Sequence, residues 1–413
     1  MIYGIISTTF FLILLPFWYL ASCFNHKLGY HFKEKMCVGL GKPLDKKSIV
    51  FYGVSVGEII ALQKLITKTK QTFPNHNIVV TTGTKTGQET AKNKLGTVAD
   101  YITYFPFDFP IFINRFIKKV NPEVVIIAET ELWPNIGYVL NKKNIPLYIV
   151  NGRMSDSTYD SYKKLSFFFA RILKNYTKIL TQSQSDNDKL ISIGANKNTT
   201  QVMGNLKFDI DVNIENFVPI EKNPCDKIII AGSTHAGEDE IVLSAFQKIK
   251  KPNIKLLIAS RHPERNENIF ELCCKLGFKT GRRSNNDSFK EFDIIILDTM
   301  GELGKMYSVC EFAFIGGSFN KTGGHNPLEC CIYNKPVISG PSIHNFKDIY
   351  AIITRTQAGK IVNTETELTA QMHKLLNDTQ YYSQACEDCK TVFAQNRGAT
   401  QTVLDELQAL INM

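Results

Sequence analysis

Residues 316–329, GGSFNKTGGHNPLE, join a predicted strand to a predicted helix, and this stretch decides the fold. The apolar run Phe312–Ile315 before it indicates a buried strand. A helix is expected to open at Asn326 and Pro327, because Asn is a favoured N-cap and Pro a favoured first helical residue. Glu329 stands three residues after the cap, as in a capping box. Such a helix start suits a phosphate, which the glycines at 323–324 would let approach closely. The alternative is an ordinary, well-capped turn.

The composition limits the class of protein. The chain has 413 residues, enough for two domains, and its apolar fraction of 44% is that of a folded protein. The net charge of +9 suits an anionic membrane surface or a phosphorylated ligand. Nucleic acid is not expected as a partner, because no RRM, KH or zinc-finger pattern is present.

The ten cysteines are scattered, and several stand in apolar surroundings, as buried free thiols do. The single C-x-x-C pair, Cys386 and Cys389, has no second pair with which to bind zinc. We therefore expect reduced thiols in a cytosolic protein, with no bound metal and no cofactor.

Residues 1–25 are predicted to form a membrane anchor. Residues 2–24 carry no charged side chain, and as a helix they would be about 34 Å long, enough to span a bilayer. Six lysines follow between residues 27 and 47, against one Glu and one Asp. The positive-inside rule then places the rest of the chain on the cytoplasmic side of the inner membrane.

Two other interpretations of this segment are weaker. A cleaved signal peptide would need a basic residue before the apolar run, and none is present. The sequence LASC at residues 20–23 resembles a lipoprotein cleavage box. The missing basic start and the lysines behind it favour an uncleaved anchor. The basic stretch is also suited to lie on anionic headgroups.

The rest of the chain repeats a pattern of short apolar run, polar loop and amphipathic helix, which indicates parallel α/β sheets. The predicted strands are 49–54, 78–82, 124–128, 147–150 and 178–181, then 227–231, 255–259, 292–297, 311–315 and 336–339. Residues 209–226, rich in Asn, Pro and charge, predict a linker. We therefore expect two Rossmann-like doubly wound domains, at 26–208 and 227–395, and a final helix at 396–413.

Ligands of doubly wound sheets bind beyond the carboxyl ends of the strands, so a crevice between the two domains is the expected site. In the first half, Glu58 at the start of a helix would be kept ionised by the helix dipole and could act as a general base. A carboxylate that only complements the dipole is the local alternative. Glu129 and Glu131 would share a face of an extended chain, and paired acids are typical of a site. Arg153 could bind an anion, and Lys207 is either a cation at the crevice rim or a solvated lysine.

In the second half, polar turns follow the strands in the same way. The turn GSTHAGE, residues 232–238, is a further anion-ready helix start, although a lone histidine such as His235 is more often structural. Arg261 is placed to reach a phosphate. DTMGEL, residues 298–303, follows the third strand. Several such turns on one rim of one sheet are hard to explain by capping alone.

Seven motifs, in order, resemble those of the 3-deoxy-D-manno-octulosonic acid (Kdo) transferases of Gram-negative bacteria. They are SVGE, ETELWPN, GNLKFD, GSTHAGE, RHPER, DTMGEL and GGHNPLE. The resemblance implies an inverting, metal-independent glycosyltransferase of GT-B type with an N-terminal anchor. It would transfer Kdo from CMP-Kdo to a lipid A precursor, lipid IVA, in lipopolysaccharide synthesis.

The resemblance also implies roles for individual residues. Glu58 would be the general base, and Glu131 and Lys207 would stabilise the transition state. The residues implied to bind CMP are Arg261, His262, Met300, Gly301, Glu302, His325, Asn326, Pro327, Leu328 and Glu329.

Two positions depart from the family pattern, and three other functions are weighed against it. Ser260 stands where the family often has Pro, and Gly152 where Ala is expected.

The first alternative function is another GT-B enzyme that uses a UDP-sugar, such as a cell-wall transferase or a nucleotide-sugar epimerase. Competition between CMP and UDP for the donor site would distinguish it from a Kdo transferase. A membrane-tethered binding module without turnover is disfavoured by Glu58 and Glu131. A dehydrogenase is disfavoured because neither half has G-x-G-x-x-G.

Overall fold

The chain divides into two compact units. The computed structural model describes residues 31–210, 214 and 217–412. The first unit comprises the chain as far as Asp209 together with Asn396–Met413, and the second is Ile210–Gln395. The predicted membrane anchor at 1–25 lies outside the described residues. Among the residues that are described, no helix is both long enough and apolar enough to cross a bilayer.

The first unit is built on a seven-stranded parallel sheet in the order β3-β2-β1-β4-β5-β6-β7. The strands are β1 (Ser48–Gly53), β2 (Asn77–Thr82), β3 (Tyr101–Tyr104), β4 (Pro122–Ala128), β5 (Leu147–Gly152), β6 (Lys178–Thr181) and β7 (Thr200–Val202). Central strands such as β1 are buried along their whole length. A parallel sheet covered on both faces needs such continuous apolar runs, which is why the sequence marks these strands clearly.

Helices cover both faces of this sheet. They are α1 (Phe32–Lys35), α2 (Val56–Thr72), α3 (Lys85–Leu95), α4 (Pro110–Val120), α5 (Pro134–Lys142), α6 (Asp156–Lys164), α7 (Ser166–Leu173) and α8 (Gln184–Ser192). Alternate residues of β1 enter two separate cores: Phe51 packs with Leu62 of α2, and Val50 packs in the other core with Phe116 of α4. The first unit is therefore doubly wound, as predicted.

The C-terminal helix α16 (Ala399–Ile411) belongs to the first unit, which the sequence did not indicate. Val403 and Leu407 pack into the same core as Phe51. The buried carboxylate of Asp209 accepts hydrogen bonds from the N–H groups of Gly398 (2.8 Å) and Thr400 (2.5 Å). The last residue of the GNLKFD motif thus caps this helix and fixes the place where the chain re-enters the first unit.

The second unit has a second seven-stranded parallel sheet, in the order β10-β11-β9-β8-β12-β13-β14. Its strands are β8 (Lys227–Thr234), β9 (Ile254–Ser260), β10 (Thr280–Arg282), β11 (Ile294–Ile296), β12 (Phe312–Ile315), β13 (Val337–Ser339) and β14 (Gly359–Ile361). Its helices are α9 (Glu238–Ile249), α10 (Asn266–Lys275), α11 (Leu303–Met306), α12 (Leu328–Cys331), α13 (Lys347–Ile353), α14 (Glu365–Asn377) and α15 (Thr379–Asn396), which ends at the unit boundary. Because all strands in each sheet are parallel, the turns that carry the seven motifs lie at the carboxyl ends.

All ten predicted strands are present, and the strand Phe312–Ile315 is fully buried, as expected. The helix expected to open at Asn326 and Pro327 begins instead at Leu328 and is a single turn of four residues. Nine cysteines lie in the described part of the chain, all as free thiols, and six of them are buried.

Candidate active site

Glu58 lies in the first turn of α2, directly after β1. Its Oε2 accepts the N–H of Val54 at 2.7 Å, and its Oε1 accepts the hydroxyl of Ser55 at 2.9 Å. These two bonds are those of a helix cap, so the local alternative describes part of what this residue does. Capping alone does not explain the raised pKa of Glu58, because the capping hydrogen bonds favour the ionised carboxylate. Burial raises the pKa of Glu58 most, the two hydrogen bonds oppose that rise, and the charge of Glu131 adds to it.

The two acids after β4 lie close enough to interact electrostatically, but not along an extended chain. Glu129 has a left-handed backbone, with φ of 56°, so the expectation that the pair shares one face of a straight strand is wrong. A non-glycine residue with such a φ is uncommon outside turns and functional sites. Burial, and then the charge of Glu129, raise the pKa of Glu131. The structure thus brings Glu58 and Glu131 into one half-buried acidic group.

Lys207 is positioned by a buried amide network that the sequence did not reveal. The side-chain oxygen of Asn205 accepts the N–H of Lys207 at 3.0 Å, and that of Asn151 accepts the N–H of Leu206 at 3.0 Å. Asn205 also donates to the side chain of Gln182 at 3.1 Å. Three chain segments are thereby locked together, and the half-buried Lys207 is held in one short 3₁₀ turn, Leu206–Phe208.

In the second unit, the glycine-rich turn after β12 is organised by the buried carboxylate of Glu238. Its oxygens accept the N–H groups of Gly317 at 2.6 Å, Ser318 at 2.8 Å and Phe319 at 2.9 Å. The same carboxylate accepts the N–H of His235 at 2.9 Å. The sequence shows Glu238 only as an acid at a helix start, and no local signal connects it to a turn some eighty residues later.

The start of α12 differs from the expected phosphate-binding helix. The side-chain oxygen of Asn326 accepts the N–H of Leu328 at 3.1 Å, and the Asn326 amide donates to Glu329 at 3.4 Å. Glu329 is an exposed residue, but the surrounding protein desolvates its carboxyl group and so raises its pKa. The hydrogen bond from Asn326 and the charge of Arg261 act in the opposite direction. Helix α12 is one turn long, and the N–H of Leu328 is already bonded to Asn326. This helix start therefore has fewer free N–H groups for an anion than the sequence predicted.

A pocket of about 130 Å³ lies at the carboxyl ends of β8, β9 and β11. Arg261, Met300 and Gly301 line it. Met300 is 81% exposed, which is unusual for a large apolar residue. Gly301 has a φ of 81°, which favours glycine. Three of the residues implied to bind CMP are therefore together at one pocket.

Glu302 does not line this pocket, although the residues beside it do. Its carboxylate forms an ion pair with Arg283 at 3.1 Å and accepts the hydroxyl of Thr299. The hydrogen bond from Arg283, followed by that from Thr299, lowers the pKa of Glu302 against the effect of partial burial. Glu302 is thus bound to other protein groups, and Arg283, which the sequence did not single out, is its partner.

Three histidines from separate turns meet at the same sheet edge. The Nε2 atoms of His235 and His325 are 2.9 Å apart, and the two ring planes are nearly parallel, 13° apart, with centroids at 5.2 Å. The ring of His262 meets that of His235 edge to face, also at 5.2 Å. Of these, His262 and His325 were implied by the resemblance, whereas His235 was expected to be structural. In the described part of the chain, no group of His, Cys, Asp or Glu could hold a metal ion.

Comparison with known proteins identifies the family. A family model described as 3-deoxy-D-manno-octulosonic-acid transferase matches residues 27–210. The 3-deoxy-D-manno-octulosonic acid transferase of Haemophilus influenzae is 36% identical over 372 residues, 88% of this chain and 87% of that protein. A transferase of the same name from Rickettsia bellii is 31% identical, and the match covers 92% of this chain and 91% of that protein.

Among solved structures, the chain resembles the UDP-GlcNAc 2-epimerase of Neisseria meningitidis bound to UDP-GlcNAc. The TM-score is 0.57 at 12% identity, over 88% of this chain and 100% of that chain. At this identity the likeness concerns the fold alone, and it is the two-domain GT-B fold that the resemblance implied.

Proposed function

Because the chain belongs to the 3-deoxy-D-manno-octulosonic acid (Kdo) transferase family, we propose that it moves Kdo from CMP-Kdo to a hydroxyl group of a lipid A precursor, lipid IVA. The family predicted from the seven motifs is confirmed, and the protein is a glycosyltransferase. The donor, the acceptor, the inversion of configuration and the independence of metal are the parts that we propose.

The acidic group of the first unit is the observation that carries the proposed mechanism. Glu58 is held by Val54 and Ser55, and burial and Glu131 raise its pKa. A carboxylate whose pKa is raised toward neutrality is a better general base than an ordinary surface glutamate. We assign to Glu58 the removal of the proton from the acceptor hydroxyl group.

The bond changes of the proposed step balance without a further reactant. The acceptor oxygen forms a bond to C2 of Kdo while the bond from C2 to the phosphate oxygen breaks. The electron pair of that bond leaves with CMP, and the hydroxyl proton passes to Glu58. Attack from the face opposite to the leaving phosphate inverts C2. Lys207 and Glu131 are proposed to stabilise the charges that develop in this transition state.

The second unit is proposed to bind the donor. Arg261, Met300 and Gly301 line its pocket, and Arg261 influences the pKa of Glu329 and of His325. A guanidinium group next to a small pocket suits a nucleoside monophosphate, whose phosphate would bind to the guanidinium group. In this mechanism, positive side chains bear the charge of the leaving phosphate, so no metal is used. Residues 1–25 are proposed to anchor the enzyme in the inner membrane, with both units in the cytoplasm.

The experiment that tests this function is a transfer assay read by mass spectrometry. Purified full-length enzyme is incubated with lipid IVA in detergent and with CMP-Kdo, UDP-GlcNAc or no donor. We expect the acceptor mass to rise by whole Kdo residues with CMP-Kdo alone, and to do so equally in the presence of a chelator. Transfer or epimerisation of UDP-GlcNAc without Kdo transfer would refute the assigned donor, and loss of activity in chelator would refute the metal-free mechanism.

The raised pKa of Glu58 gives a prediction for the pH dependence of transfer. A base acts only when it is ionised, so activity falls as the pH decreases through its pKa. The acid limb of kcat/KM should therefore lie above the ordinary glutamate value of 4.5. Because the charge of Glu131 contributes to the raised pKa, Glu131→Gln should move this limb to lower pH, whatever it does to the maximal rate. An unmoved limb in that variant would contradict the coupling of the two acids.

A further inference from the structure

Three backbone amides of the glycine-rich turn, at residues 317–319, are already bound to a protein carboxylate. Glu238 is 1% exposed and accepts the N–H groups of Gly317, Ser318 and Phe319, as described above. A phosphate would need those same amides if it were bound as in other glycine-rich turns. Since their hydrogen bonds are satisfied within the unit, these three amides are not available to an anion, and side chains at this edge of the sheet have to supply donors in their place.

The side chains that meet there include the His235–His325 pair. At 2.9 Å between the two Nε2 atoms, one hydrogen lies between them, because two N–H groups or two lone pairs facing each other would repel. The pair is brought together by the turn itself. The N–H of His325 donates to Gly316 O at 3.2 Å, and a Cβ on Gly317 would come within 3.0 Å of the His325 ring.

Burial and the nearby cationic groups favour the neutral form of the pair. Burial, followed by the neighbouring His235 and Arg261, lowers the pKa of His325 to about 4. Burial is also the largest cause that lowers the pKa of His235, with His262, Arg265 and Arg261 acting in the same direction. The carboxylate of Glu238 opposes these effects on both rings. Arg265 is itself paired with the buried Asp239.

Protonation would change what the pair can bind. In the neutral pair, one Nε2–H forms the bridge, so that ring has a bare Nδ1 while the other ring has Nδ1–H. A third hydrogen can go only to the bare Nδ1. Both rings then carry an N–H donor besides the bridge, and the pair carries one positive charge. An anion close to the rings favours this charged form by its own field.

We propose that His235 and His325 form a proton-linked anion subsite of the donor site, which takes up one proton when a nucleotide phosphate binds beside Arg261. This inference rests on the proposed donor and assigns to His235 a ligand-binding role. The subsite is neutral when it is empty, so its two rings add no positive charge next to Arg261 and Arg265. It becomes cationic only when a negative group arrives. Donor affinity should consequently fall as the pH rises.

The test is calorimetric titration of the full-length enzyme with CMP, in two buffers of different ionisation enthalpy at pH 7. Because the phosphate of CMP also titrates, with a pKa of about 6, the informative quantity is the difference between wild type and His235→Asn. We expect up to about one more proton taken up by the wild type. The CMP affinity of the wild type should fall as the pH rises from about 6 to about 8. Relative to His235→Asn, the additional fall should reach as much as about tenfold per pH unit.

A matched control is His373→Asn, because His373 is an exposed histidine on α14 of the same unit. It should retain the wild-type proton uptake. If His235→Asn does not fold, His325→Asn replaces it, and nitrogen NMR of the imidazoles in the wild type gives a readout without mutation. The rings of the pair should shift toward imidazolium on adding CMP.

Each other result has a defined meaning. Equal proton uptake in wild type and variant, or imidazole signals that stay neutral, overturns the inference even if CMP binds and Kdo is transferred. If the wild type neither binds CMP nor transfers Kdo, the assigned donor is wrong, and the inference is overturned with it. The transfer assay therefore separates failure of the subsite from failure of the proposed function.

Discussion

Replacing Glu58 with glutamine is expected to slow Kdo transfer about 10³-fold, while CMP binds with its wild-type affinity. Glutamine has the same shape. Its amide oxygen can still accept the N–H of Val54, and its NH2 group can donate to the hydroxyl oxygen of Ser55, which donates to Glu58 in the wild type. It cannot take up the proton of the acceptor hydroxyl group, so only the chemical step should suffer. The measurement is single-turnover transfer at saturating donor, with CMP affinity determined separately by calorimetry.

The control for this variant is Glu89→Gln. Glu89 lies on α3 of the same unit and contacts Lys85 at 3.8 Å, and both side chains are more than half exposed. An exposed pair of this kind contributes little to stability, so this variant should behave as wild type. If Glu58→Gln keeps a turnover within threefold of wild type, Glu58 is not the base. If its rate and its CMP affinity fall together, its effect is structural.

How far the sequence could predict the fold depended on where each strand lies in its sheet. The four strands that were missed are β3, β7, β10 and β14, and they are the edges of the two sheets. Central strands are buried on both faces and appear as continuous apolar runs, such as the three isoleucines of β11. Edge strands such as β10, with the sequence TGR, are short and partly polar, because one side faces solvent. Their pairing is decided by the neighbouring strand, which a local pattern does not contain.

The same distinction between local and distant partners applies to the site. Glu58 could be singled out because the strand, the turn and the helix start that hold it are consecutive in the chain. The role of Glu238 could not, because its partners Gly317 to Phe319 lie in the turn after a distant strand, β12. The network of Asn151, Gln182 and Asn205 likewise joins three separate segments of the chain. The assigned roles of the candidate site residues remain predictions that the experiments above are designed to test.

Removing the Glu238 carboxylate is the second change from which we expect a large effect, here on stability. Glu238→Ala would leave four N–H groups without their acceptor: those of Gly317 and Ser318, which are buried, and those of His235 and Phe319, which are part-buried. Each buried unsatisfied group costs about 1–3 kcal/mol, so a loss of about 2–6 kcal/mol is expected from the two buried groups alone. That is a large part of the 5–15 kcal/mol, roughly, that stabilises a whole domain.

The measurement is denaturant unfolding of the full-length protein, together with hydrogen exchange of the amides at 317–319. Glu240→Ala is the matched control, because Glu240 is exposed in the same first turn of α9 and should change stability by less than about 0.5 kcal/mol. Glu238→Gln keeps one acceptor oxygen, so it should lie between the two and remain folded if the alanine variant does not. Its exchange should be faster at the turn alone, since the amide can satisfy only part of the four donors. Two results would contradict this prediction: slow exchange at the turn in Glu238→Gln, or wild-type stability in Glu238→Ala. Either would mean that the backbone of the turn holds its own conformation. The amides at 317–319 would then be available to the donor phosphate.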